Sequence, residues 1–112
     1  MLESENYIIG GKIEWEQINE GIQRQILGYN DQIMMVKMEF LTGSEVHYHS
    51  HVHSQCSYIA SGIFEFDIDG EQKVVTTGNG LYMGSNVSHG VKCLEAGVII
   101  DSFSPVRLDF LK

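Results

Sequence analysis

The sequence is 112 residues long, enough for one domain built around one core. Fifteen acidic residues stand against seven basic ones, a net charge of −8 that opposes the counterion-driven attraction on which nucleic-acid binding depends. Hydrophobic residues make up 43%, as in soluble globular chains, and no apolar run approaches the roughly 20 residues of a membrane span, so neither nucleic acid nor membrane is expected as a partner.

The opening stretch, Met1-Leu2-Glu3-Ser4-Glu5-Asn6, carries two acids and no basic run leading into an apolar segment, which argues against a secretion signal and for a cytoplasmic protein. Beyond it the chain reads as short segments, alternating or β-branched, separated by 12 glycines and containing a single proline, Pro105. Strands are predicted over 22–27, 33–41, 45–51, 56–60, 63–68, 73–77, 81–83, 91–94 and 98–103. Asp69-Gly70 supplies the positive φ angles of a tight hairpin turn, and Asn30-Asp31, Ser61-Gly62, Gly78-Asn79-Gly80 and Ala96-Gly97 mark further turns. No segment repeats at helical spacing. So many short strands in so short a chain predict an all-β closed barrel or jelly roll, because closure or two-sheet folding removes exposed edges. Cys56 and Cys93 can form at most one bridge, fit no metal-finger spacing, and are read as buried thiols.

Four of the five histidines fall within Val46-His47-Tyr48-His49-Ser50-His51-Val52-His53-Ser54-Gln55, and the fifth, His89, lies far downstream. Residues two apart in a strand face the same side, so His49 and His51 can aim their rings at one point. His89 follows the turn-like Gly84-Ser85-Asn86-Val87-Ser88 and opens a strand, where it can complete a tripod. Three neutral imidazoles with open positions describe a catalytic divalent site rather than a closed structural one. The alternative, polar surface histidines, is not removed by spacing alone. His47 shares the strand face and His53 falls in the following turn, both with a pocket-lining or solvated role.

The glycines decide further. Gly43, five residues, His49-x-His51, three residues, Gln55, six residues and Gly62 resembles the first signature motif of the cupin family. Gly78 and His89 fit the second motif, in which Gly84, Asn86 and Cys93 replace the usual proline, glycine and asparagine. The resemblance implies a single cupin domain over 1–112, with the motifs at 43–62 and 78–93. It also implies one divalent metal ion, such as Zn, Ni, Mn or Fe, held by His49, His51, Gln55 and His89, the alternative being that Gln55 only hydrogen-bonds behind the ligands and water takes the fourth position. Most cupins place a glutamate where Gln55 stands. An amide oxygen coordinates without charge, so the ion keeps its double positive charge, the local field that an anionic substrate needs on an acidic protein. Cupins commonly pair, which makes a homodimer the expected assembly, with the apolar Tyr7-Ile8-Ile9 segment as a contributor.

At the C-terminus, Val98-Ile99-Ile100-Asp101-Ser102-Phe103 puts an acid inside an apolar strand. By alternation Asp101 and Phe103 share a face with Ile99. If that face is interior, Asp101 is a desolvated carboxyl beside a cation site, a candidate proton carrier; otherwise it points outward or pairs with an arginine such as Arg24. Asp101-x-Phe103-x-Pro105-x-Arg107-x-Asp109-Phe110, with Arg24-Gln25-Ile26-Leu27-Gly28-Tyr29 and Met34-Met35-Val36 upstream, resembles the KdgF-type cupins of pectin and alginate degradation. Those convert 4,5-unsaturated monouronates to linear keto sugars. The likeness implies that Asp101, Phe103 and Arg107 line the substrate site. His47 and Val52 stand where prolines are usual, and Gly84-Ser85 replaces a proline pair, which leaves the chemistry in place and the pocket mouth open to a different shape. Two competing readings are an oxygen-dependent cupin, marked by oxygen uptake, and a non-catalytic sugar-binding module.

Overall fold

The computed structural model describes residues 2–111. Their alternating and β-branched segments form eight strands: β1 (Glu16–Asn19), β2 (Ile22–Tyr29), β3 (Met34–Phe40), β4 (Glu45–His49), β5 (Ser54–Ile68), β6 (Glu71–Thr76), β7 (Gly80–Met83) and β8 (His89–Ser104). Short 3-10 turns lie at Gly10–Lys12 and Leu108–Phe110. Among the described residues no helix is long and apolar enough to cross a membrane.

The fold is organised by β5 and β8, which pair antiparallel from Ser54 opposite Ser104 to Ile68 opposite His89. Their halves belong to different layers. The first half of β5 and the second half of β8 lie between β7 and β3, in the order β1-β2-β3-β8-β5-β7. The remaining halves lie between β6 and β4, in the order β4-β8-β5-β6. Two layers sharing two bent strands make the jelly-roll barrel that the strand pattern predicts.

The sequence divides each long strand in two, at Ser61-Gly62 and at Ala96-Gly97. In the structure each is one strand that bends. Register slips between Ile59 and Phe64 move the inward side of β5 from odd positions (Gln55, Ser57, Ile59) to even ones (Phe64, Phe66). At the bend the two backbones nearly touch: a Cβ on Gly97 would collide with the Ser61 carbonyl, and one on Gly62 would lie 2.7 Å from the Glu95 carbonyl oxygen. Gly62 also holds φ at +90°, a conformation costly for any other residue. The glycines read as turns thus mark a bulge and a close approach. Asp69 and Gly70, with φ of 52° and 87°, do form the hairpin turn between β5 and β6. The unpredicted β1 holds one apolar residue, Ile18, and owes its extended form to its ladder with β2.

Core residues follow the inward alternation. Phe40 and Phe64 meet edge to face at 5.2 Å among Ile22, Ile59, Met83 and Ile99, and a second group joins Met34, Val36, Phe103 and Val106. Burial of each such side chain contributes roughly 1.5–3 kcal/mol. Cys93 is buried with them, but Cys56, lying between the inward Gln55 and Ser57, faces outward and is exposed. Both thiols are free.

Candidate metal centre

Antiparallel register decides which side chains meet inside the barrel. His49, the last residue of β4, lies opposite His89, the first of β8. Across the β5–β8 ladder Gln55 faces Phe103, and Ser57 faces Asp101. His51 lies beyond the end of β4, so strand alternation is not what delivers it; the chain leaves the strand two residues earlier than predicted, yet the ring still lies beside the other two. Ring centroids are 4.6 Å apart for His49 and His89, 5.0 Å for His51 and His89, and 5.7 Å for His49 and His51. One ligand nitrogen from each of the three falls within 4.8 Å of the others. His47 is solvated, its side chain 85% exposed and 3.7 Å from Glu45. His53 lies in the bend, with a buried Nδ1 that finds no hydrogen-bond partner among the described residues.

The donor set suits a cation. Each ring uses Nδ1 against a backbone carbonyl: His49 with His47 O at 2.7 Å, His51 with His53 O at 2.9 Å, His89 with Val87 O at 2.9 Å. A carbonyl oxygen only accepts, so Nδ1 carries the proton and Nε2 is left with its lone pair, the tautomer a metal ligand needs. Gln55 adds an oxygen. Its Nε2 donates to the Ser57 hydroxyl at 3.1 Å, which turns Oε1 toward His51 Nε2, 3.0 Å away. Two lone-pair atoms facing each other at that distance require a positive species, either a proton on His51 or a metal ion. Burial, then the charge of Arg107, lower the His51 pKa despite the contact with Gln55; burial likewise lowers that of His89. The proton is disfavoured, and three imidazole nitrogens with one amide oxygen fit a divalent first-row metal.

Beyond the histidines a hydrogen-bonded line runs inward. Ser57 receives from Gln55 and donates to Asp101 Oδ1 at 2.6 Å. Asp101 is 7% exposed, and burial pushes its carboxyl up to about 6 from an ordinary 3.8, against the lowering effects of Ser57, Gln55 and Arg107. It is thus interior, and not paired with Arg24, whose Nε donates to Glu16 at 2.7 Å. Phe103 packs edge-on to His51 at 5.8 Å and to Phe110 at 5.7 Å. The Arg107 guanidinium lies 5.0 Å from the Phe103 ring and 4.2 Å from that of Phe110. A cavity of about 200 Å³ gathers His49, Gln55, His89, Asp101, Phe103 and Arg107 on one wall or another.

Sequence reasoning missed two polar residues here. Ser57 links the metal-facing amide to the acid, and its one signal was its place two residues after Gln55 on the same strand. Arg24 also lines the cavity, two residues after the buried Ile22 on β2.

Comparison with known proteins agrees with this geometry. Residues 36–101 match the Cupin domain family. The chain is 42% identical over 107 residues to the pectin degradation protein KdgF of Dickeya dadantii (strain 3937), covering 94% of this chain and 97% of that one. Among solved structures, an RmlC-like cupin from Shewanella frigidimarina NCIMB 400 superposes with a TM-score of 0.96 at 42% identity, covering 99% of this chain and 100% of the other. KdgF from a Halomonas species gives a TM-score of 0.92 at 31% identity, covering 96% and 100%.

Proposed function

The chain belongs to the cupin domain family, and we propose that it opens and ketonises 4,5-unsaturated monouronates derived from pectin or alginate, with one divalent metal ion as cofactor. The observation that carries this reading is Asp101, a buried carboxyl with its pKa raised to about 6, in a cavity that also holds histidine nitrogens and arginine, on a chain so similar to pectin degradation proteins. A metal ion held by His49, His51, His89 and Gln55 would supply a Lewis acid for the carboxylate and enol oxygens of the sugar.

The substrate is a cyclic enol ether with a hemiacetal at C1. Ring opening breaks the bond between C1 and the ring oxygen, the C1 hydroxyl loses its proton, and the ring oxygen stays on C5 as an enolate. A proton added at C4 then leaves a ketone at C5. Atoms and electrons balance within the sugar, so the reaction is an isomerisation. In this reading Asp101 takes the hydroxyl proton and delivers one at C4, a double duty suited to a carboxyl that titrates near neutrality. Ser57 holds Asp101 by its Oδ1 and leaves the other oxygen for the sugar. Arg107 directs positive charge at the C6 carboxylate, and Phe103 gives the ring an apolar surface. We assign this activity to a homodimer, supported by apolar side chains left in solvent at Tyr7 (86% exposed) and Ile9 (53%).

The test mixes metal-loaded protein with 4,5-unsaturated galacturonate and follows the ultraviolet absorbance of the conjugated double bond. Decay faster than the spontaneous background, and abolished by a chelator, is the expected result. No acceleration by fully metallated protein would refute the assignment and favour a sugar-binding or oxygen-dependent protein.

A further inference from the structure

We propose that Arg24 is a second carboxylate anchor of this site, acting beside Arg107 on the uronate. This rests on the uronate reading above. The two arginines differ in what their donors already do. Arg107 donates from Nε and Nη2 to the two carboxylate oxygens of Asp109, at 3.1 and 2.9 Å, so its side-on fork is filled and its end-on pair alone remains. Arg24 donates only Nε, to Glu16 across the β1–β2 ladder. Neither Nη group of Arg24 forms a hydrogen bond among the described residues, so its end-on fork is intact.

The position of Arg24 is not that of a solvated surface cation. The residue is 8% exposed and belongs to the inward row formed with Met38 and Ile99 across β2, β3 and β8. Its guanidinium lies 3.6 Å from the centroid of Phe110, the same ring that Arg107 approaches at 4.2 Å. The stacking fixes the plane of the guanidinium. The Arg24 Nη groups are not among the buried atoms left without a partner, so they keep access to the cavity that Arg24 lines. A planar carboxylate held edge-on by Nη1 and Nη2 completes the fork in the favoured bidentate geometry. Two arginines on one ring, each held by a single carboxylate, thus line the same cavity as His49 and His89.

The experiment compares 4,5-unsaturated galacturonate with its methyl ester, which keeps the ring and the double bond but has no carboxylate charge. Metal-loaded wild type, Arg24→Met and Arg24→Lys are assayed for KM and kcat, after circular dichroism and metal content have been matched. Arg24→Met is expected to raise KM for the acid by about tenfold or more, the usual worth of a charged hydrogen-bond pair, while changing kcat/KM for the ester by less than about threefold. Arg24→Lys keeps the charge but not the fork and should fall between. Equal losses on both substrates would show that Arg24 merely supports Phe110, and unchanged kinetics on both would likewise overturn the proposal. Calorimetric binding of galacturonate against galactose separates this from failure of the functional reading. If wild type turns over no uronate yet binds galacturonate, and Arg24→Met abolishes that preference, the anchor stands without the reaction. If Arg24→Met keeps the preference, the anchor falls.

Discussion

Asp101 offers a test of the site's electrostatics that needs no substrate. Its carboxyl is buried, and that burial moves its pKa from an ordinary 3.8 to about 6 in the folded, metal-free protein. The difference, at about 1.4 kcal/mol per pH unit, amounts to about 3 kcal/mol of linkage. The sign follows from proton counting. Between pH 3.8 and about 6 the folded state binds the proton more tightly than the unfolded chain, so this contribution is complete below the unfolded pKa and is lost as pH rises through the folded one. Asp101→Asn keeps the acceptor for Ser57 and removes the titration. Metal-stripped wild type and variant would be unfolded in urea across pH, and the difference in their unfolding free energies followed, which cancels the histidines and every other titrating group. Between about pH 4.5 and about pH 8 the wild type should lose about 2 kcal/mol relative to Asp101→Asn, most of the total, because part of the linkage lies below the lower pH. A difference that stays flat across this range would mean that Asp101 is not desolvated in solution, and with it the proton-carrying role would go.

Metal binding should depend on His89 and on pH in a defined direction. His89→Ala removes one of the three clustered nitrogens and is expected to weaken metal affinity by roughly a hundredfold, measured by competition with a chromogenic chelator. Because the pKa values of His51 and His89 are lowered, wild-type protein should hold its metal to a pH below the ordinary imidazole value of 6.5 and lose it as pH falls further, when the nitrogens protonate. Release that begins above 6.5 would contradict the carbonyl-fixed tautomers and the lowered pKa values of His51 and His89. Gly62→Ala should destabilise the fold by about 2 kcal/mol or more in urea, since the new methyl meets the Glu95 and Ala96 carbonyls at 2.7 and 2.8 Å on a backbone already at positive φ. A loss below about 0.5 kcal/mol would show that the crossing of β5 and β8 can relax.

What the sequence reveals of this site depends on how local the geometry is. His49, His51 and Gln55 lie within one short stretch, and the spacing of Gly43 and Gly62 around them is carried by the chain itself, so this part of the histidine cluster is readable without a structure. Asp101 required one long-range fact, which face of its strand is interior, and alternation with Ile99 and Phe103 narrowed that to two choices. Ser57 and Arg24 were not legible. A serine or an arginine in a half-polar strand reads as an outward residue, and only the ladders that set Ser57 against Asp101, and Arg24 in a row with Met38 and Ile99, turn them inward. The long strands were misdivided for a related reason. Gly62 and Gly97 carry the same local signal whether the chain turns back or bulges past a neighbouring backbone, and the distinction lies in the partner strand.

The amide at position 55 also sets the direction of the hydrogen bonds behind it. The Ser57 hydroxyl has one proton to give. Because Gln55 presents N–H to Ser57, the hydroxyl accepts there and its proton is free to go to Asp101, so the line from Gln55 through Ser57 to Asp101 has a single direction. A glutamate at 55 would offer a second acceptor. Ser57 could then satisfy only one of two carboxylates, and two acids joined through one hydroxyl would compete for a proton and titrate as a coupled pair. With Gln55 the cavity contains one acid whose protonation is set by its own burial, while the same amide directs its oxygen to the histidines. The amide beside the histidines and the buried acid are therefore one arrangement, tied by Ser57.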